Sequence, residues 1–169
     1  HKKFQVATQP TNGLQLNCTE LRQISNIRKL TLCADLAKSY ENGNANAISL
    51  HETQKSCSIQ QCAENVNIPV IGMYTNISIM FESAFYPRTC LGRLLVSDNR
   101  KVIASCSIQT NYFVSLESCK QKLCDSNYDA ANFHEGNGQC NAIKCPNGMK
   151  TQLFWYYYTI LWKIPEYQN

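Results

Sequence analysis

Two copies of one cysteine frame constrain this chain more than anything else in it. Cys57 and Cys62 recur as Cys140 and Cys145, 83 residues on. The same displacement carries Ala47 to Ala130, His51 to His134, Glu52 to Glu135, Tyr74 to Tyr157 and Ile77 to Ile160. The shared pattern reads A-x2-[LF]-H-E-x4-C-x4-C, followed by an apolar segment. A fixed period sets the architecture before any single residue does. It predicts two tandem modules, at 1–84 and 85–169.

Modules of that size bury little core and gain stability from cross-links. The ten cysteines suit that need, and with no CxxC pair and three histidines they do not read as a zinc framework. A disulfide framework implies an oxidising compartment, so the chain is expected to be secreted or to lie on the extracellular face of the plasma membrane. It begins His1-Lys2-Lys3, without Met or an apolar h-region, which reads as a mature or trimmed N-terminus. Asn17-Cys18-Thr19 and Asn76-Ile77-Ser78 are sequons and candidate glycosylation sites at Asn17 and Asn76. The most apolar stretch, Leu153 to Ile164, has 12 residues, against the roughly 20 that a membrane-spanning helix needs. The net charge is +4 with the basic residues scattered, so no nucleic-acid partner is expected.

The expected fold class is α+β, each module a small antiparallel sheet packed with one helix. Each module is predicted to open with a hairpin, Phe4–Ala7 with Leu14–Leu16 and Leu94–Val96 with Lys101–Ala104, because turn residues separate short apolar runs. Apolar residues at three-to-four spacing from Leu21 through Ile24, Ile27, Leu30 and Cys33 to Tyr40 predict the first helix. The second is expected over Leu116–Asp125, with Ser115 as N-cap and Glu117 in the first turn. Matching Cys33 to Cys124 makes Glu41–Asn46 an inserted loop. A final strand is expected over Val70–Ile79 and again over Leu153–Trp162. The stretch from Met80 to Arg93, with Pro87 and Gly92, reads as the linker.

Two copies of one fold should close the same bonds. Cys57 and Cys62 are five apart, so on a strand they point to opposite faces and seek partners elsewhere. One scheme pairs Cys33–Cys57 and Cys18–Cys62, with Cys124–Cys140 and Cys106–Cys145 as copies and Cys90–Cys119 as the extra bond. A rival has Cys119–Cys145 and Cys90–Cys106. Spacing alone does not choose between them.

Cys119-x4-Cys124, then Tyr128-Asp129-Ala130-Ala131-Asn132-Phe133, then Cys140-Asn141-Ala142-Ile143-Lys144-Cys145 resembles the PAN/apple superfamily, and the C-x4-C ending is similar to its MANEC (MANSC) variant. The match covers about 40 residues here and a weaker 40 in the first module, which has Arg28 near the place of Cys119. The resemblance implies the rival disulfide scheme for the second module. It also implies extracellular adhesion and recognition domains that bind proteins or glycans and are not themselves enzymes.

His51-Glu52 and His134-Glu135 are the one polar constellation that repeats. A catalytic zinc needs about three protein ligands, and HExxH is absent. The favoured reading is a histidine that orders the turn before the cysteine strand, so no metal and no cofactor are expected. The final strands carry more. With side chains alternating by two, one face reads Ile71, Met73, Thr75, Ile77, Ile79 and its copy Phe154, Tyr156, Tyr158, Ile160, Trp162. The opposite face holds Tyr74, Asn76 and Ser78 in the first module, but Trp155, Tyr157 and Leu161 in the second. An apolar patch there must be covered or used. Trp155, Tyr157, Leu161 and Tyr74 are therefore the candidate binding residues, together with the groove between the modules. The expected partner is an extracellular protein or glycan, with a second copy of the chain as an open alternative. Two other classes stand beside this one: a secreted effector or enzyme inhibitor acting through the 41–46 loop, and a hydrolase built on the His-Glu pairs.

Overall fold

A computed structural model describes residues 3–8, 14–40, 43–63, 67–72, 76–97, 101–103, 106–145, 151–153 and 157–168. The first half contains β1 (Phe4–Thr8), β2 (Leu14–Leu16), β3 (Thr19–Ser25), α1 (Leu30–Lys38), β4 (Ala47–His51), β5 (Ser56–Gln61), β6 (Ile68–Gly72) and β7 (Ile77–Glu82). The second contains β8 (Leu94–Ser97), β9 (Lys101–Ile103), β10 (Ile108–Phe113), α2 (Leu116–Cys124), β11 (Ala130–His134), β12 (Gln139–Ile143), β13 (Thr151–Leu153) and β14 (Tyr158–Lys163). The protein is disulfide-rich and mostly β, with two helices among the described residues. One sheet runs β1-β7-β4-β5-β3, and the larger one runs β10-β12-β11-β14-β8-β6-β2. Read from β8, the second sheet repeats the strand order of the first. It then continues across a parallel β8–β6 contact into the first half.

The frame repeats most closely at two hairpins. β4 and β5 meet with His51 opposite Ser56, and β11 and β12 with His134 opposite Gln139. The residue before each second strand has positive φ, +53° at Lys55 and +75° at Gly138. Its carbonyl accepts the N–H of the residue leading to the helix, Ile27 or Val114, at 2.9 Å in both halves. Asn46 and Asp129 are also equivalent: a side-chain oxygen of each accepts a cysteine N–H, Cys62 at 2.7 Å and Cys145 at 2.5 Å.

Three expectations are corrected here. The opening strands are not hairpins. β1 pairs β7 and β2 pairs β6, while β8 pairs β14 and β9 pairs β13. Turn-forming residues between two apolar runs do not by themselves choose the partner of either run. The first helix does not begin at Leu21. Residues 19–25 are an edge strand with a bulge between Glu20 and Arg22. Leu21 is the extra residue, and a bulge lets Leu21 and Ile24, three apart, both pack on the helix side. That produces a helix-like spacing in a strand, which Asn26, at φ 63°, then ends. The final strand is not continuous either. β6 and β7 lie in different sheets, as β13 and β14 do.

Nine-residue helices are marginal alone, so packing holds them. Ser115 caps α2 by accepting the Ser118 N–H at 3.2 Å, and Glu117 lies in its first turn. No side chain caps α1, which is held by Cys33–Cys57 and by Ala34 and Ala37 against Ile48, Leu50 and Ile59. In the second half Cys119–Cys140 does this, with Leu123 packed on Phe133 and Leu161 in the same cluster. A third cluster belongs to both halves. It joins Ile77, Ile79 and Phe81 of β7 to Ile160 and Trp162 of β14, with Leu14, Ile68 and Leu95.

The cysteines close as Cys18–Cys62, Cys33–Cys57, Cys106–Cys145, Cys119–Cys140 and Cys90–Cys124. The expected Cys124–Cys140 and Cys90–Cys119 bonds are corrected, and so is the rival pair Cys119–Cys145 and Cys90–Cys106. Cys119, not Cys124, is the counterpart of Cys33: each is the fourth residue of its nine-residue helix. Five residues on, Cys124 points about 140° away around the helix and meets Cys90 in the chain between the halves. The 41–46 segment is accordingly a smaller insertion than the cysteine match suggested.

A non-reduced digest should yield Cys119–Cys140 and Cys90–Cys124 peptides; a Cys90–Cys119 peptide would refute this connectivity. A Cβ on Gly138 would lie 3.0 Å from the Val114 carbonyl oxygen at positive φ. Gly138→Ala should therefore cost about 1–3 kcal/mol in urea unfolding. Lys55→Gly, at the equivalent turn, should change stability by less than ~1 kcal/mol, since strain relief and added chain entropy oppose.

Candidate functional site

A groove of about 850 Å³ opens where the two halves join. One wall is the connecting chain from Ala84 to Gly92, the others Ala63 and Asn67 with Ile68 at the start of β6, and Glu117 and Lys120 on α2. Its surface is mixed: Phe85, Pro87 and Leu91 supply apolar and aromatic side chains, Arg88, Thr89, Lys120 and Glu117 supply polar ones, and Ile68 and Tyr86 lie buried behind them.

The connecting chain has a built shape. Tyr86 is buried, and its hydroxyl donates to the Pro165 carbonyl at 2.7 Å. Phe81 meets Phe85 and Tyr86 edge-on, at 5.7 and 6.1 Å between ring centroids. Burial raises the Tyr86 phenol above its ordinary 10.0 against the opposing pull of Arg93, so it stays protonated as a structural donor. Arg88 lies 3.2 Å from the centre of the Tyr167 ring and donates to the Ser83 carbonyl. Buried Arg93 donates to the Arg88 carbonyl at 2.8 Å. Cys90–Cys124 fixes the far end to α2. Asn67 ties the other wall, donating to the Leu91 and Leu94 carbonyls at 2.6 and 3.2 Å while its oxygen accepts from Lys120 at 2.9 Å. Lys120 also pairs with Glu117 at 3.4 Å. On the other side of α2, Lys163 donates to the Leu123 and Ser126 carbonyls and so closes the helix end. Burial lowers Lys163 from its ordinary 10.5, with Asp129 opposing the shift.

The candidate binding residues separate. Tyr157 is 55% exposed, and Leu161 is fully buried at 0% beneath α2. Leu161 is thus corrected from a surface residue to a core residue. β14 is buried on both faces because Ile160 and Trp162 enter the shared cluster while Leu161 enters the helix-side one. Trp155 and Tyr74 lie outside the described residues. Asn17 and Asn76 are exposed. Strand register sharpens the comparison of the halves. Ser49 faces Ile79 and Asn132 faces Ile160, so the last strands match at a displacement of 81. Tyr157 is then the counterpart of Asn76, and both place a carbonyl on the N–H of the equivalent glutamate, Glu135 or Glu52. One half offers a sequon there and the other an exposed phenol.

The second His-Glu pair orders a turn. His134 Nδ1 accepts the Asn137 N–H at 3.1 Å, and its ring sits against Tyr158 at 4.9 Å. A Cβ on Gly136 would come within 2.8 Å of that ring. Glu135 accepts from the Thr159 hydroxyl at 2.8 Å. His51 is buried in β4. Among the described residues no group of three or more His, Cys, Asp or Glu side chains could hold a metal ion. The 41–46 segment is described from Gly43 on; Ala45 is buried and Asn46 bridges the N–H and carbonyl of Cys62. Ala45 and Asn46 thus lie against the sheet, while Gly43 and Asn44 are exposed.

The sequence points to a groove between the modules but to none of its lining residues as a site, because the connecting chain, with Pro87 and Gly92, reads there as a spacer. Phe85-Tyr86-Pro87-Arg88 is nonetheless dense in aromatic and cationic side chains for a spacer, and that was the available clue.

No family model and no curated protein matches the chain. Among solved structures it is similar to the two N-terminal apple domains (residues 58-231) of Toxoplasma gondii microneme protein 4, with 10% identity and a TM-score of 0.35 over 98% of this chain and 94% of that one.

Burial holds the His51 imidazole below its ordinary 6.5, although Glu20 pulls the other way. The unfolded chain therefore takes up the proton first, and stability falls as pH drops through 6.5. The melting temperature should decline over that interval and the slope should flatten in His51→Gln; an unchanged slope would assign the acid sensitivity to other groups.

Proposed function

We propose that the chain is an extracellular recognition protein made of two PAN/apple-like modules, 1–84 and 85–169, that binds a protein or glycan at a cell surface or in the extracellular matrix. The observation that carries this reading is the groove at the junction. It offers apolar and aromatic surface from Phe85, Pro87 and Leu91 beside polar Arg88, Lys120 and Glu117, with walls fixed by a disulfide, the part-buried hydrogen bonds of Asn67 and a cation–π contact. Such a surface supplies shape and desolvation energy, the means by which interfaces recognise partners. Preformed walls lower the ordering cost of binding.

Five disulfides suit an oxidising compartment, and no helix of the described residues is long and apolar enough to cross a membrane. Tyr157 adds an exposed aromatic anchor outside the groove, of the type that dominates interface energetics. The paired sequons at exposed Asn17 and Asn76 fit the same secretory setting.

The test is saturable binding of the labelled full chain to intact cells or matrix from its source, with the surface pretreated by protease or by glycosidase to separate protein from glycan partners. Leu91→Glu in the groove and Tyr157→Ala should each weaken binding by about tenfold, or roughly 1.4 kcal/mol, with the circular dichroism spectrum unchanged. Unaltered affinity in both variants would overturn the assignment of these surfaces.

A further inference from the structure

The two sheets end on equivalent edge strands that are built differently. β3 and β10 each close one edge, each pairs inward with the cysteine-bearing strand β5 or β12, and each has a bulge at the equivalent place. Unpaired strand edges are templates for further pairing, and proteins blunt them with charge. β3 carries exposed Glu20 and Arg22. β10, of sequence IQTNYF, has no charged residue and no proline. Among the described residues no strand pairs with its outer edge.

β10 also presents two large apolar side chains to water, Phe113 at 71% exposed and Ile108 at 51%. Five apart on a regular strand, they would point to opposite faces. The bulge removes Gln109 from the alternation: Ile108 faces Ile143, Thr110 faces Ala142, Asn111 faces Asn141, Tyr112 faces Cys140 and Phe113 faces Gln139. Ile108, Asn111 and Phe113 therefore share the face away from α2, and Thr110 and Tyr112 share the other. On the α2 side Lys122 lies 4.6 Å from the centre of the Tyr112 ring, which leaves Ile108 and Phe113 as the apolar pair of the edge.

This arrangement is self-complementary. A twofold axis normal to the sheet at Asn111 sets Asn111 against itself and Thr110 against Tyr112 of the second copy. It also sets Ile108 against Phe113 of the second copy, twice. Every pair lies on a common face, and no charges of one sign are brought together. We propose that β10 is a self-pairing edge through which two copies of this chain form a continuous antiparallel sheet, with Ile108 and Phe113 as the cross-strand contact. The interface is closed and isologous, so it stops at two copies and does not propagate. A six-residue strand buries a small area, so the dimer is concentration-dependent. It does not rest on the recognition reading, because it uses neither the groove nor Tyr157.

Sedimentation equilibrium of the full disulfide-bonded chain tests this. The mass should climb from 19.2 kDa towards twice that value with concentration. Ile108→Lys and Phe113→Lys should each weaken dimerisation by about tenfold or more. Both positions are exposed, so circular dichroism and melting should be unchanged. Leu32→Lys, on exposed α1, should leave the dimer intact. The double variant Ile108→Glu with Phe113→Lys should restore it, because each glutamate then faces a lysine. A chain that stays monomeric at all concentrations overturns the proposal, as does a dimer indifferent to Phe113→Lys. A double variant that remains monomeric overturns the twofold register.

Discussion

Burial of β7 and β14 in one shared cluster is the interaction on which the rest of the structure depends. Ile77, Ile79 and Phe81 come from one half and Ile160 and Trp162 from the other, and all five are buried. Each sheet also carries a helix on its other face, so each half has a small cluster of its own as well. Neither half could shed the shared cluster without exposing several large side chains, each worth roughly 1.5–3 kcal/mol when fully buried. The parallel β6–β8 contact adds backbone pairing to the same junction. The groove lies beside this junction, so its walls inherit the stiffness of the most buried part of the molecule.

How much of this was legible in the sequence depended on where the repeat keeps its length. Between β4 and β5 the covalent spacing is fixed by a tight hairpin, and the displacement of 83 holds residue for residue from Ala47–Ala130 to Cys62–Cys145. Outside it, loops of unequal length let the displacement drift to 86 at the helices, where Cys33 matches Cys119, and to 81 at the last strands. A drift of two leaves the alternation of faces intact, so Ile160 and Trp162 were still read as core. It moves the comparison of individual residues, however, and Tyr157 proves to stand opposite Asn76 rather than Tyr74. Leu161 was misread for a different reason. A strand flanked by a helix on one side and a second sheet on the other has no solvent face, and a period-two pattern cannot show how many layers cover it.

Bulges explain the other misreading, and they recur. The bulge in β3 brings Leu21 and Ile24 to one side and imitates a helical turn. The bulge in β10 brings Ile108 and Phe113 to one side and makes an apolar edge. Spacing in the sequence records neither, because a bulge is visible only as a mismatch with the neighbouring strand. Cys119 and Cys124 pose the same kind of problem on a helix. Both are spaced to suit a disulfide, and only the sheet position decides that Cys119 turns inward while Cys124 turns to the connecting chain.

Where the halves agree, the residues have structural duties: the positive-φ turn, the Asn46 and Asp129 bridges, the turn-ordering His134 and the helix-to-sheet disulfides. Where they differ, a side chain has been released from those duties. An exposed phenol replaces a sequon asparagine, an uncharged edge replaces a charged one, and a second helix cysteine clamps the connecting chain that walls the groove. These differences are not scattered at random over the fold. Each adds apolar surface or rigidity to the second half, at a place where the first half keeps charge or a sequon asparagine. A scaffold whose halves share these features can do this at little cost to folding, because the shared cluster and the matching turns already specify the backbone. The recognition proposed above draws on this asymmetry, through the groove at the junction and Tyr157 in the second half.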